Sequence, residues 1–420
     1  MTTIVQKKQS KNYKVNPYLQ RKYHFVKIFN IKHQHFTIFE QKFFMKRIQM
    51  VDLQSQYNQI KSEIDNSVID VMGNATFING PSVKSFQKNL EAYLNVKNVI
   101  PCANGTDALQ IAMMALDLQP GDEVITTDFT FASTVEVIAL LKLTPVLVDI
   151  EADTYNIDPQ KIKKVINSKT KAIVPVHLFG QPANMGEIMK IADDNQLFVI
   201  EDNAQALGSE YQFKNGKSLK TGGIGHIGTT SFFPSKNLGC YGDGGAIFTN
   251  DDDLAHKLRG IVNHGMYQRY HHDVVGVNSR LDSIQASILD IKLKHLDEYN
   301  LSRRKSAISY VEKLKSNKNI ILPNFSIKQM EHVFHQFTIR ILNNKRDELV
   351  NYLSDNQIPF GIYYPIPLHT QKAYQNSTYV DEDFPNTNLL SKQVISLPMH
   401  SELEEDQISF ICEKINGFLN

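Results

Sequence analysis

From Met50 onward, short apolar runs alternate with amphipathic stretches at a spacing that commits the chain to an α/β fold. The apolar runs cover residues 98–102, 123–127, 145–149, 172–177, 197–201, 229–233 and 246–249, each the length of one strand. Between them, residues 107–116, 134–141, 159–166 and 185–195 carry helical periodicity. Strands joined through helices form a mostly parallel sheet, because a parallel connection needs a crossover of helix length. Such sheets bind ligands beyond the carboxyl ends of their strands. The polar residues expected there are Asn104, Asp128, His177, Asp202 and Ser231.

After Gly276 the pattern changes. Residues 281–315 read as one long helix, with apolar positions at Ile284, Ile288, Ile291, Leu296, Ile308, Val311 and Leu314. A strand over 333–342, a helix over 346–356, a short strand near 360–363 and a terminal helix over 404–418 follow. The expected organisation is a large α/β domain over 50–280 and, over 281–420, a linking helix with a smaller α+β domain.

Charge separates off the N-terminus. Residues 1–50 hold eleven Lys or Arg against one acid, Glu40, which leaves 34 basic and 43 acidic residues in the remainder. A body with a balance of −9 gives no support to nucleic-acid binding. Residues 1–49 are expected to be a disordered or dispensable extension, with Met45 or Met50 opening the protein proper. No apolar run reaches the roughly 18 residues of a membrane span. Cys102, Cys240 and Cys412 are odd in number, widely spaced and without a CxxC, which fits a reducing cytoplasm and no zinc site.

Three segments carry chemistry. Asn104-Gly105-Thr106-Asp107-Ala108-Leu109 follows a strand and opens a helix, where free N–H groups, the positive helix end and the Thr106 hydroxyl favour a phosphate. A plain helix cap gives the same pattern. Ile200-Glu201-Asp202-Asn203-Ala204-Gln205 ends a strand in a carboxylate suited to a protonated ring nitrogen, with an amide nearby for a ring oxygen; it too reads as a cap. Lys236 lies past a strand, just before Gly239-Cys240-Tyr241-Gly242-Asp243-Gly244-Gly245. A lone lysine is ordinarily a solvated surface charge, whereas one held in a pocket attacks an aldehyde cofactor. Gly223-Ile224-Gly225-His226-Ile227-Gly228 matches GxGxxG, but a strand follows it where a dinucleotide-binding helix belongs. Adjacent His271-His272 beside Asp273 lacks metal-ligand spacing, and no metal is expected.

Taken in order, residues 104–109, 128–132, 175–180, 201–208, 231–245, 276–282 and 364–369 resemble the DegT/DnrJ/EryC1/StrS family of sugar aminotransferases. The resemblance runs from about Met50 to the C-terminus and implies the fold-type-I architecture of pyridoxal 5'-phosphate (PLP) enzymes. It implies that Lys236 bears PLP through its amine, that Asp202 pairs with the pyridine nitrogen and that Gln205 approaches the phenolic oxygen. It places Phe131 against the ring, Gly105, Thr106 and Ser231 on the phosphate, and Asn278 on the phosphate of the neighbouring subunit in a homodimer with shared sites. Asn203 stands where many relatives have Ala. The implied activity is transamination of a nucleotide-linked keto sugar with glutamate as amino donor.

Within the family the chain looks most like enzymes that aminate UDP-2-acetamido-2-deoxy-3-oxo-glucuronate, through His177 in Pro-Val-His-Leu-Phe-Gly, the 230–239 run and the 264–282 segment. A role in surface polysaccharide biosynthesis follows from that likeness. The uronate carboxylate calls for a planar cation, which makes Arg280 the first candidate and His369 the second, with His177 a further substrate contact. The alternatives are a dTDP-linked 3- or 4-keto deoxysugar as acceptor, a sugar dehydratase on the same fold, and a non-catalytic regulator. Dehydratase relatives carry histidine in place of the lysine, so Lys236 argues for transamination.

Overall fold

The strand–helix alternation resolves into a seven-stranded sheet in the order β1-β9-β8-β5-β4-β2-β3. The computed structural model describes residues 46–324, 327–376 and 378–420. The expectation for residues 1–49 lies almost wholly outside them. Two helices, α1 (Leu53–Gly73) and α2 (Pro81–Leu94), precede the sheet. Then come β1 (Asn98–Cys102), α3 (Gly105–Ala115), β2 (Glu123–Thr127), α4 (Ser133–Leu140), β3 (Thr144–Val148), α5 (Pro159–Val165), β4 (Thr170–Val174), α6 (Met185–Asn195) and β5 (Phe198–Asp202). A hairpin of β6 (Glu210–Gln212) and β7 (Ser218–Lys220) leads to β8 (Ile227–Ser231), β9 (Gly245–Thr249) and α7 (Asp252–Ile261).

Strands β3, β2, β4, β5 and β8 are parallel neighbours; β9 runs antiparallel to both β1 and β8. The interior strands are buried along nearly their whole length because helices cover both faces. Ile111, Ala112 and Met113 of α3 pack on Ile100, Val174, Ile200 and Ile247 across one face. Ile188, Ile191 and Ala192 of α6 cover Ile125, Ile173 and Val199 on the other. Parallel order brings the carboxyl ends of β2, β4, β5 and β8 to one edge.

Past a small hairpin, β10 (Met266–Gln268) and β11 (His271–His272), the expected single helix is two: α8 (Ser283–Leu293) and α9 (Leu296–Leu314). The break at Lys294-His295 follows from what each half buries. Ala286, Leu289 and Leu293 of α8 pack on Val83, Phe86 and Leu90 of α2. Ala307, Tyr310 and Leu314 of α9 join a separate core with Ile408, Ile411 and Ile415. Around that second core lie β12 (Ile320–Ile321), β13 (Phe337–Ile341), α10 (Arg346–Asp355), β14 (Val394–Leu397) and α12 (Glu405–Leu419), while α11 (Pro385–Gln393) packs Leu390 with Phe129 and Tyr155. The three strands form an antiparallel sheet. The strand expected near 360–363 is a single bridge, Gly361 to Ser396. No helix among the described residues is long and apolar enough to cross a membrane.

Candidate active site

At the carboxyl edge of the sheet the strand ends enclose a cavity of about 510 Å³. One end of it is built from β1 and β8. Asn104 caps α3, its Oδ1 accepting from Asp107 N at 2.8 Å, and so turns the chain from strand into helix. The first N–H groups of α3 have no acceptor within the helix. Gly105 lets the two segments touch: a Cβ there would stand 2.7 Å from Ser231 Cβ. Ser231 Oγ accepts from Phe233 N at 3.2 Å, which leaves its proton to donate. Backbone donors, two hydroxyls and a helix N-terminus at one end of a cavity have the chemistry that suits a phosphate.

Asp202 ends β5 inside the cavity, 5% exposed, with Thr134 Oγ1 donating to Oδ2 at 2.8 Å and Ala204 N to Oδ1 at 3.2 Å. Gln205 is held in one orientation, because Phe179 N donates to its Oε1 at 2.8 Å while its Nε2 donates to Tyr364 Oη at 3.2 Å. Phe179 adopts φ +57 to do this, a left-handed conformation that costs a bulky side chain of order 1–3 kcal/mol. Phe131 stands at the mouth, 58% exposed, its ring 6.4 Å from that of Tyr364.

Lys236 lies past the end of β8 and lines the same cavity. Burial pulls its amine down to about 8, against the opposing pull of the Asp202 carboxylate. An amine titrating there is roughly one-tenth free base at pH 7, whereas an ordinary lysine is almost wholly charged. Thr130, His335 and Tyr364 complete the wall. Thr130 Oγ1 and His335 Nδ1 are buried without a partner, so polar atoms are left over for a ligand. Burial, with Lys236 nearby, holds the His335 imidazole well below its usual range and therefore neutral. Asn203 is structural: its amide bonds Thr221 through Oδ1 and Nδ2.

Two expected substrate contacts are corrected by the geometry. His177 is fully buried, with Ala183 N donating to its Nδ1 at 3.0 Å and its Nε2 2.9 Å from Glu201 Oε2. The ring proton therefore sits on Nε2 and points at a carboxylate in the core. Glu201 accepts also from the N–H groups of Gly222, Ile224 and Gly225. The GxGxxG run thus cradles the chain's own carboxylate. His369 is spoken for as well: Nδ1 meets Asp128 Oδ2 at 2.6 Å, Nε2 meets Asp381 Oδ1 at 3.1 Å, and the ring stacks on Phe384. A second carboxylate from a substrate has no place between those two. His177→Ala should lower stability by about 1–3 kcal/mol, by taking one donor from buried Glu201 and leaving Ala183 N unpaired. Urea unfolding checks this, with KM for the acceptor unchanged; a raised KM at unaltered stability would restore the binding role.

Asn278 and Arg280 do not line the cavity of this chain. Asn278 is exposed and bridges Asn263. Among the described residues, Lys236 is the one cationic side chain in the cavity wall, which also carries Asp202 and Asp243. No group of three or more His, Cys, Asp or Glu among them is placed to hold a metal ion.

A family model described as the DegT/DnrJ/EryC1/StrS aminotransferase family matches residues 58–416. The chain is 45% identical over 372 residues to a pleiotropic regulatory protein of Geobacillus stearothermophilus, covering 88% of this chain and 98% of that one. It is 44% identical over 370 residues to a UDP-2-acetamido-2-deoxy-3-oxo-D-glucuronate aminotransferase of Pseudomonas aeruginosa, covering 88% of this chain and 100% of that one. Among solved structures, a Bacillus subtilis protein with bound cofactor PMP, the amino form of PLP, superposes with a TM-score of 0.78 at 32% identity, covering 86% of this chain and 82% of that one.

Proposed function

Because the chain belongs to the DegT/DnrJ/EryC1/StrS aminotransferase family, we propose that it moves an amino group from glutamate to the keto carbon of a UDP-linked 2-acetamido-2-deoxy-3-oxo-glucuronate, in surface polysaccharide biosynthesis. The observation that carries the reading is Lys236, a cavity-lining amine held near 8 with a buried carboxylate in the same wall. PLP fits the residues present: the cradle at Gly105 and Ser231 suits its phosphate, and unpartnered Thr130 Oγ1 shows polar capacity left over for a ligand.

When bound, PLP supplies an aldehyde carbon that captures amines and a ring that withdraws electrons from that carbon. Gly105, Thr106 and Ser231 would hold its phosphate, Asp202 would keep a proton on the ring nitrogen, and Gln205 would face the phenolic oxygen. Phe131 would cover one face of the ring. Lys236 Nζ, free of its proton in part at neutral pH, would take the proton from the donor's Cα as general base and deliver it as general acid to the cofactor carbon that had been the aldehyde. Tyr364 Oη accepts from Gln205, so its own proton is available to a ligand. We place residues 50–280 in the cofactor-binding domain and 281–420 in the linking and smaller domain. The separate core around α9 and α12 supports this, with α8 the exception because it packs on α2. Three unpaired, buried cysteines fit a cytoplasmic enzyme.

A sugar nucleotide with a diphosphate and a carboxylate needs more positive charge than one amine. Asn278 and Arg280 lie outside the cavity of their own chain, which supports a homodimer in which each subunit completes the other's site. Arg280 is then the carboxylate's bidentate partner. A charge-assisted pair of this kind contributes about 1.5–3 kcal/mol, so Arg280→Ala should lower kcat/KM for the uronate roughly tenfold to a hundredfold. A neutral 3-keto analogue should be spared. Mixing Arg280→Ala with Lys236→Ala protein should restore uronate turnover, since a hybrid dimer keeps one intact site. Equal loss on both substrates, or no restoration, overturns the assignment.

The regulatory relative favours a second reading, a protein that keeps the fold without turnover. A regulator has no use for a lysine amine held near neutrality against a buried carboxylate, and steady-state amination of a sugar nucleotide separates the two readings.

A further inference from the structure

The stretch between Phe233 and Gly239 belongs to no helix or strand. Within it, Lys236 N donates to Phe233 O at 2.8 Å. Its place in the fold therefore depends on side chains from elsewhere. Asn237, next to Lys236 and 4% exposed, donates through Nδ2 to Asn300 Oδ1 at 2.7 Å and to the Val333 carbonyl at 3.0 Å. Asn300, 3% exposed on α9, donates through its own Nδ2 to the Leu207 carbonyl at 3.2 Å. Carbonyl oxygens only accept, so each amide has one permitted orientation. Gly208 closes over the pair with φ +90, and a Cβ there would meet Asn300 Nδ2 at 2.6 Å. Farther along the loop, Lys292 Nζ, 1% exposed, donates to the Gly239 carbonyl at 2.5 Å.

Asn300 thus joins the residue after Lys236 to the residue two past Gln205, and neither Asn237 nor Asn300 lines the cavity. The segments that carry the amine and the amide, both in the cavity wall, are tied together by one side chain on a helix that does not line it. We propose that Asn300 is a positioning residue for Lys236, acting through Asn237. The inference rests on the reading of Lys236 as the cofactor-bearing lysine. An ordered loop with so few backbone bonds shifts when its anchor goes, and a displacement of about 1 Å at a reacting group costs on the order of a hundredfold in rate.

The test uses the full chain with and without cofactor. In the apoprotein, Lys236 is acylated with acetic anhydride across a pH series and followed by peptide mass mapping. Wild type should show a midpoint near 8. Asn300→Ala should raise that midpoint by about one unit, because a loosened loop lets water reach the amine. In the holoenzyme, kcat should fall roughly tenfold to a hundredfold with KM within about twofold. Asn237→Ala should match both effects, and the double variant should be no worse than either single one, since the two act in series. Asn237→Ser, which disturbs less, carries the same prediction if Asn300→Ala does not fold. A lower Tm with an unmoved midpoint and unchanged kcat overturns the proposal, as do fully additive losses in the double variant. If PLP is trapped on another lysine, the reading of Lys236 fails, while the apoprotein midpoints still report whether Asn300 positions it.

Discussion

Lys236→Ala protein is expected to lose turnover by about 10⁴-fold or more, the upper range for removal of a positioned proton-transfer group that is also a nucleophile. Its fold should survive. The amine lines a cavity instead of filling a core, and its burial opposes its charge. Truncation removes an unfavourable desolvation and leaves no packed void, so Tm should hold or rise slightly. PLP should still bind without covalent attachment, because the Gly105–Ser231 cradle is untouched. The pH dependence of wild type belongs to the same prediction. Below about 8 the amine is protonated and cannot attack an aldehyde; above it the free base predominates. Capture of PLP by apoprotein should therefore accelerate through pH 8 and level off. A rate still climbing above pH 9.5, as for a solvated lysine, would remove the physical basis of the assignment.

Asp202→Asn is expected to be the next most damaging change. The amide is isosteric, and it can keep the Ala204 N–H on its oxygen while Thr134 Oγ1 turns to accept from its nitrogen. It cannot supply negative charge beside a ring nitrogen. Breaking a buried charge pair by neutralising one partner costs about 3–5 kcal/mol. Applied to the barrier, that is roughly 10²–10³-fold or more in kcat. Stopped-flow measurement of the glutamate half-reaction checks it, with bound PLP quantified at the same time. Proton loss at Cα within threefold of wild type would show that Asp202 serves only to hold Thr134 and Ala204 in place.

The parts of the site that lie on the sheet were legible in the sequence, because parallel strands announce their carboxyl ends. Asn104 and Asp202 each follow an apolar run and Ser231 lies within one, and the fold brings all three to one cavity. The parts contributed by the chain beyond residue 330 were not. His335 and Tyr364 reach the cavity from residues more than 95 positions beyond Lys236; residues 364–369 carry part of the family resemblance, but no strand end or periodicity marks either side chain as cavity-facing. His177 was misplaced for a different reason. It does follow a strand, but Val176 bridges Asp202 in parallel, and the next side chain turns away from the edge into the core toward Glu201. The 281–315 stretch kept an apolar period across two helices because both halves are amphipathic, although they serve different cores. Helices α1 and α2 precede the first strand and lie outside the strand–helix alternation, although Val83, Phe86, Leu90 and Leu94 of α2 and Ile60, Ile64 and Val71 of α1 recur at helical spacing.

One measurement bears most directly on the account. Holoenzyme is reduced with borohydride, digested, and the phosphopyridoxyl group located by mass spectrometry. The lysine in the cavity, with its amine near 8 and Asp202 in the same wall, predicts a single modified peptide carrying the label on Lys236. Label on another lysine, or protein that binds PLP and yields no labelled peptide, contradicts it.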